Sequence, residues 1–429
     1  MTAEIAVMNK TAVALAADSK VTISGMRSAK AYDTVNKLFT LSKTHPVGIM
    51  VFGNAEFMEY PWETIVKLYR KQKDRDSETH ITKWGDDFCA FLTKFGNIED
   101  RHKHRNIKGI CYSWLGSIMD MALAQANEED IAFGSDDFTG LILGIIERAL
   151  FKAKQADTWC SSDEIKAIMK DYRKEINGAL DSFSSGFEDQ EVKSAARRYL
   201  RTAISREEFS PQSSGFVIAG FGEEEYFPTV LEYYTDGYVG DRIKIASRTP
   251  ADVSREMHSC IRAFAQGDMV ERFMNGINTR LHQAMIASFM KTISEGCVSV
   301  LEKYGADENK TDEVRSEIEK AILSSTKTLI GSTRQYVQDQ FIDPVVRMVA
   351  MLPKDELAHL AESLVALTSL KRRVSSDAET VGGPIDVALI TKGDGFVWIK
   401  RKLYFPVALN PHFGANYMLG ANFGEPDHA

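Results

Sequence analysis

The beginning of the chain carries the hydrophobic pattern of β-strands. Apolar residues occupy every second position of 2–8, and an apolar run over 12–18 ends at Asp18. Asn9 and Lys10 separate the two segments and are typical of a tight turn. The pattern predicts an antiparallel hairpin whose open ends lie side by side.

Two more short apolar runs follow, over 38–41 and 47–52, and a turn containing Pro46 joins them. Gly53 and Asn54 come next, and we expect a helix to begin there. The first 53 residues therefore predict four short antiparallel strands.

The rest of the chain alternates between long helical stretches and short strand pairs. The pattern predicts, in order, helices through 54–210 with a clear one at 162–179, a hairpin at 215–222 and 230–234, helices through 269–371, and a last hairpin at 385–390 and 396–400. Groups of strands separated by groups of helices favour a layered α+β sandwich over strict βαβ alternation.

The composition of the chain is unfavourable for several classes of function. The chain has 429 residues, 44% of them hydrophobic, and a net charge of −8, which is unfavourable for binding nucleic-acid phosphates. It has no secretory-type N-terminus and no apolar run of the ~18 residues that a membrane helix needs. The five cysteines form no CxxC pair, which predicts a reducing cytoplasm and no bound metal.

The candidate chemistry lies at the N-terminus. A threonine hydroxyl is a weak nucleophile unless a base takes its proton, and a threonine at a free N-terminus carries that base as its own α-amine. Thr2 directly follows Met1, a position from which methionine is normally removed before a small residue. We therefore expect Thr2 to act as both nucleophile and base.

Such a nucleophile needs a cation nearby and an acid that holds the cation. The predicted hairpin brings Asp18 beside Thr2, and Lys37, at the start of the third strand, is the candidate cation. The backbone N–H groups of Met50 or Val51 are candidates for an oxyanion hole. On spacing alone, a second interpretation stays open: a strand residue, a turn acid and a surface lysine.

These residues resemble the N-terminal part of proteasome β-type subunits and of the bacterial HslV peptidase, which are N-terminal nucleophile hydrolases. Later blocks resemble the family's central strand pair and its last hairpin, and the VGGPID segment is similar to the bacterial Anbu group. The segments that carry the resemblance are TAEIAV, VALAADSKVT, NKLFTL, GIMVFGNA, GFVIAGFGEEEYFPTVLEYY and GGPIDVALITKGDGFVWIK.

The resemblance implies a four-layer αββα sandwich, amide-bond hydrolysis by Thr2 and no metal or organic cofactor. It also implies a peptide or protein substrate and self-assembly into a homo-oligomer, a ring or a related assembly. An unfoldase ATPase as partner stays undetermined. Asp18 takes the place of the supporting acid and Lys37 that of the activating cation.

The chain departs from the family pattern in several places. Lys37 comes later than the family spacing, which lands on Thr34 instead, so the preceding loop is longer and Lys30 is a second candidate. Gln266 stands where the family often has a serine. The acid and serine that precede the family's last glycine pair correspond to the candidate helpers Asp377 and Ser376, which lie further upstream.

The chain is also much longer than the family's usual length. We interpret 1–429 as a single domain with mainly helical insertions at 75–210 and 275–345 and a C-terminal tail at 401–429. Such insertions either cap the site or bind a partner, or they only add bulk at ring interfaces or outer faces. Three functions remain open: a threonine peptidase, an inactive ring or scaffold subunit, and an amidase acting on a small molecule.

Overall fold

The computed structural model describes residues 3–24, 29–96, 98–185, 189–303, 308–375 and 381–412. Within these residues the chain is a mixed α+β structure, as the sequence predicts, and all strand pairs are antiparallel. The strands are β1 (Ala3–Asn9), β2 (Ala12–Ala17), β3 (Val21–Ser24), β4 (Ala29–Tyr32), β5 (Leu38–Thr40), β6 (Val47–Gly53), β7 (Glu56–Phe57), β8 (Tyr60–Pro61), β9 (Ser214–Gly220), β10 (Thr229–Val239), β11 (Arg242–Ser247), β12 (Ala251–Asp252), β13 (Ser259–Ala265), β14 (Asp386–Thr391) and β15 (Gly395–Lys400).

The helices fall between these strand groups. They are α1 (Trp62–Lys73), α2 (Ile81–Lys94), α3 (Asp100–Glu128), α4 (Asp136–Gln155), α5 (Ser162–Asp171), α6 (Arg173–Phe183), α7 (Gln190–Ser205), α8 (Asp268–Asn275), α9 (Thr279–Lys303), α10 (Glu308–Val337), α11 (Asp343–Val349) and α12 (Lys354–Val374). A π-helical turn, Gln338–Ile342, joins α10 to α11, and a short 3₁₀ turn, Val407–Leu409, lies near the end of the described chain.

Within the described residues, the strands form two larger sheets and two short ribbons. The first sheet has the order β13-β1-β2-β14-β15, and the second has the order β11-β10-β9-β6-β5, with β12 also paired to β10. The ribbons are β3-β4 and β7-β8. The predicted hairpins, β1-β2, β5-β6, β9-β10 and β14-β15, all form.

Both faces of β1 are buried, and this explains its nearly continuous apolar sequence. Ala6 and Met8 pack in a cluster shared with residues of the second sheet, including Met50. Ile5 and Val7 point the other way and pack against α12. Because neighbouring residues of a strand face opposite sides, a covered sheet requires apolar residues at almost every position.

The second sheet is also covered on its other face. Trp62 of α1 and Trp84 of α2 pack with Ile49 and Phe216 of that sheet. The helices α3 to α7 form a separate apolar cluster, which β10 joins through Val239. The region of α3 to α7 therefore has a core of its own beside the sheets.

The structure differs from the sequence predictions at three points. The described part of the first 53 residues holds six strands instead of four, because the β3-β4 ribbon lies between the two predicted hairpins. The helix expected at about 54 begins at Trp62, because the β7-β8 ribbon intervenes. The helix expected over 162–179 is divided at Tyr172, whose backbone leaves the helical region and whose ring lies 4.6 Å from that of His104. The contact of Tyr172 with His104 of α3 joins two separate elements, and local periodicity does not report such contacts.

Candidate functional site

The β1-β2 hairpin places Asp18 beside the N-terminal end of β1. Glu4 is paired with Ala17, and the backbone N–H of Asp18 donates to the carbonyl of Ala3 at 3.1 Å. Thr2, the residue before Ala3, lies outside the described residues. The hairpin thus places Asp18 beside Ala3, and the proximity of Asp18 to Thr2 itself stays a prediction.

The Asp18 carboxylate is buried and fully hydrogen-bonded. Its Oδ1 accepts from the backbone N–H of Ala3 at 3.1 Å and from Lys37 Nζ at 2.6 Å. Its Oδ2 accepts from the backbone N–H groups of Lys20 at 3.2 Å and Gly382 at 3.0 Å. Four donors use the acceptor sites that a carboxylate offers, so its orientation is fixed.

Lys37 is held at the start of β5 with its ammonium group turned inward. Its side chain is only 4% exposed, and its Nζ also donates to the carbonyl oxygen of Lys20 at 2.8 Å. An ammonium carries three N–H groups, and the described residues supply these two acceptors. A buried lysine so close to a carboxylate is a charge pair removed from water, not a surface lysine.

The predicted oxyanion donors occupy different places from those expected. The backbone N–H of Val51 donates to the carbonyl of Lys37 at 2.8 Å, so the β5-β6 pairing already uses it. Met50 is paired with Leu38 and Val217, and its side chain packs in the cluster between the sheets, not at an open surface. Strand pairing thus corrects the interpretation of Val51 as an available donor, and Met50 is likewise a paired residue of the sheet interior.

The glycine pair near the last strand contacts the acid directly. The carbonyl of Gly382 accepts from the backbone N–H of Ser19 at 3.1 Å, while its own N–H binds Asp18, and the Ser19 hydroxyl donates to the carbonyl of Pro384. The candidate helpers Ser376 and Asp377 lie just before this segment, outside the described residues. The N–H of Gly382 is a contact of Asp18 that the sequence did not reveal.

A second buried acid–base pair lies next to the first. Asp386 is paired in the sheet with Ala17, and its carboxylate accepts from the backbone N–H of Lys402 at 2.7 Å and from Lys402 Nζ. Burial, together with the nearby Lys37 ammonium, lowers the pKa of Lys402 below its usual value, although Asp386 and Asp18 act in the opposite direction.

Sequence reasoning missed this second pair. Asp386 occupies the first position of a strand that is otherwise apolar and buried, and it is 2% exposed. An acid at the end of a fully apolar strand was the feature that drew attention to Asp18, and the same signal was present at Asp386.

The turn between β13 and α8 also lies against the beginning of β1. Ala265 is paired with Ala3 and has a φ of 61°, a left-handed conformation that residues with a side chain rarely adopt. Gln266, which stands where the family often has a serine, follows at once and is buried. β13 itself was not predicted from the sequence.

A cleft opens beside Lys37. It has a volume of about 210 Å³, and its lining runs from Val21 of β3 past β6 to the first turn of α1. Its lining residues are Val21, Val35, Asn36, Lys37, Val51, Phe52, Gly53, Asn54, Ala55, Glu56, Pro61, Trp62 and Glu63. The buried pair therefore has an open cavity next to it.

Metal ligands are not assembled anywhere in the part of the chain that the structure describes. No group of three or more histidine, cysteine, aspartate or glutamate side chains there is arranged to hold an ion. Among the same residues, each helix is too short or too polar to cross a bilayer.

Comparisons with known proteins give little information about the function of this site. No protein-family model matches the chain, and no curated protein matches its sequence. Among solved structures, the chain is similar to a (Gly-1) mutant of Anbu from Hyphomicrobium sp. strain MC1, at 10% identity and a TM-score of 0.26, with 100% of each chain covered. A TM-score this low carries no argument, so the functional conclusion depends on the residues of the site.

Proposed function

We propose that this protein is an N-terminal threonine hydrolase that cleaves amide bonds of peptides, with Thr2 as nucleophile after removal of Met1. One observation carries the proposal: Oδ1 of Asp18 binds both Lys37 Nζ and the backbone N–H of Ala3. One oxygen atom of Asp18 thus contacts both the buried ammonium of Lys37 and the backbone of Ala3, the residue that follows Thr2. The proposal includes a four-layer αββα arrangement of the two sheets and their covering helices.

The reaction follows from the chemistry of an N-terminal threonine. The Thr2 hydroxyl attacks the amide carbonyl carbon while its proton passes to the free α-amine. The tetrahedral intermediate collapses, the C–N bond breaks, and the leaving amine takes the proton from the α-ammonium. Water then attacks the ester carbon while the α-amine accepts its proton. The bond from this carbon to the Thr2 oxygen breaks, the α-ammonium returns the proton to the Thr2 oxygen, and the acid product leaves.

In this proposal, Lys37 acts by its charge. A cation near Thr2 favours the deprotonated hydroxyl and the neutral α-amine, because both changes reduce positive charge or add negative charge beside the ammonium. Asp18 keeps Lys37 charged and oriented, and its backbone donors keep Asp18 in place. Asp18 accepts four buried hydrogen bonds, which is more than an acid needs if its role is only to form a turn.

The test uses the Thr2→Ala variant and the intact mass of the purified chain. We expect the measured mass to lack Met1, and an electrophilic inhibitor directed at N-terminal threonine to label the wild type once. Thr2→Ala is expected to lose this label entirely, while Thr64→Ala, at an exposed position on α1, keeps it. A retained Met1, or labelling that Thr2→Ala does not change, would contradict the proposal.

A second candidate, an inactive ring or scaffold subunit, is favoured by the use of the Val51 N–H within the sheet. An oxyanion needs donors that no other group occupies in the ground state. The labelling experiment separates the two candidates, because a scaffold subunit would carry no reactive threonine and the wild type would remain unlabelled.

A further inference from the structure

The cleft beside Lys37 combines apolar walls with carboxylates. Val51, Phe52, Pro61 and Trp62 contribute apolar surface from β6 and the start of α1. A cavity of about 210 Å³ with such walls holds one side chain of moderate length. The aliphatic part of a lysine or arginine packs on apolar surface such as these walls, while its charged end contacts a polar group.

Two carboxylates supply that polar group. Glu56 and Glu63 both line the cleft, and Lys37, the base among the described lining residues, is neutralised by Asp18. With Asp18 and Lys67 counted beside the lining residues Lys37, Glu56 and Glu63, one negative charge remains in excess, and it attracts a cation and repels an anion.

The two acids differ in how they are held. The Glu63 carboxylate is 37% exposed and accepts from Asn36 Nδ2 at 3.3 and 3.4 Å. On its other side it pairs with Lys67, one helical turn along α1. Glu56 is exposed and makes no ion pair within the part of the chain that the structure describes.

Asn36 connects the acid to the candidate site. It directly precedes Lys37, and its side-chain amide fixes the Glu63 carboxylate at the edge of the cleft. A substrate side chain in this cleft therefore lies among lining residues that include both Lys37 and the Glu63 carboxylate.

We propose that the cleft selects peptides with a lysine or arginine next to the scissile bond, and that Glu63 is a specificity-determining residue. This inference rests on the proposed function for its catalytic consequence. Binding of the basic side chain itself depends only on the cleft.

The first measurement is binding, which needs no catalysis. Fluorescently labelled peptides that differ only in one residue, lysine, norleucine or glutamate, are titrated against the full-length Thr2→Ala chain. We expect the lysine peptide to bind about tenfold more tightly than the norleucine peptide, the size of one charge-assisted hydrogen bond, and the glutamate peptide to bind weakest. Glu63→Gln should remove most of this preference.

Two further variants sharpen the result. Lys67→Gln frees Glu63 from its ion pair, so the preference for lysine over norleucine should rise, whereas a merely structural role for Glu63 predicts no change. Glu147→Gln removes an acid of α4 that pairs with Arg198 far from the cleft, and it should leave the preference unchanged.

The outcomes separate the two proposals. Equal binding of the three peptides, or a preference that survives Glu63→Gln, overturns the assignment of the cleft even if wild-type Thr2 is labelled. A lysine preference that depends on Glu63 supports the assignment even if Thr2 is never labelled, in which case the proposed function alone fails. With an active wild type, kcat/KM for cleavage after lysine should show the same order.

Discussion

Asp18–Lys37 and Asp236–Lys244 are both buried lysine–aspartate pairs, yet their charges are neutralised differently. In the first pair the ammonium lies 2.6 Å from the carboxylate. The second pair lies beside helix α7. The distance from Lys244 Nζ to the nearest Asp236 oxygen is 3.7 Å, which is longer than a hydrogen bond. The closest partner of the Lys37 ammonium is therefore its acid, whereas the closest partners of the Lys244 ammonium are backbone carbonyls.

Lys244 is stabilised by neutral dipoles and aromatic rings. Its Nζ donates to the carbonyl of Ala203 at 2.8 Å and to that of Glu208, and it lies 5.1 Å from the ring centre of Trp114. Ala203 is in the last turn of α7, where the helix dipole attracts a cation. Burial nevertheless lowers the pKa of Lys244 to about 8.

Asp236 has partners of its own. Ser210 donates to it through the backbone N–H at 3.2 Å and through the hydroxyl at 2.6 Å, and burial raises the pKa of this carboxyl. The comparison shows that a buried ion pair is not by itself a sign of function. Asp236–Lys244 joins α7 to the second sheet, while Asp18–Lys37 adjoins an open cleft and the residue after Thr2.

Replacing Lys37 should have the largest effect on activity. Lys37→Ala removes the cation beside Thr2, and we expect the rate of Thr2 acylation to fall about 10⁴-fold, as when one member of a catalytic group is lost. Asp18 keeps its three backbone donors, so the variant should remain folded by circular dichroism. Lys43→Ala, an exposed substitution, serves as control, and an acylation rate within tenfold of wild type would disprove the role of Lys37.

Replacing Lys244 should lower the stability of the fold and leave the reactivity of Thr2 unchanged. Lys244→Met leaves Asp236 buried without a cation and removes a contact to α7, so the free energy of unfolding should fall by about 3–5 kcal/mol. Lys152→Met removes an exposed ion pair to Glu208 and should cost less than about 1 kcal/mol. Urea denaturation measures both, and Thr2 labelling of the folded chains should match wild type. Loss of labelling with intact stability would reverse the assignment of the two pairs.

The smallest effect is a pH dependence of stability. Because the pKa of Lys244 is about 8 in the folded chain and near 10.5 when unfolded, the unfolded chain binds more protons between these values. The free energy of unfolding of the wild type should therefore rise by about 2 kcal/mol from pH 8 to pH 10 relative to Lys244→Met. The rise is lost as pH falls from about 10.5 to about 8, and below pH 8 Lys244 is protonated in both states and adds no further change. Parallel curves for the two chains would contradict a lowered pKa.

Sequence reasoning succeeded where contacts are local. The period of two and the turn at Asn9 predicted the β1-β2 hairpin, and the hairpin alone brings Asp18 to Ala3. Lys37 was recognised as a candidate although the loop before it is longer than the family spacing. Asp18 was expected to hold this cation, and the two side chains are in contact. Lys37 directly precedes β5.

Contacts between distant segments escaped prediction. Nothing near Asp18 in the sequence indicates that the N–H of Gly382 completes its hydrogen bonds. Nothing near Lys402 indicates that its partner is Asp386, or that both lie beside the first pair. β13 was missed because several of its residues are only partly buried, which weakens the apolar signal of a strand.

The sequence by itself determined the strands at the two ends of the chain, the α+β class and the presence of an acid beside the beginning of β1, because alternation of side chains and tight turns act over a few residues. Only the tertiary structure decided which N–H groups are already bonded, which lysine is neutralised by an aspartate, and that Glu63 faces the cleft beside Lys37. These properties depend on burial and on pairings between remote segments, and the free energy of such contacts exists only once the chain has folded.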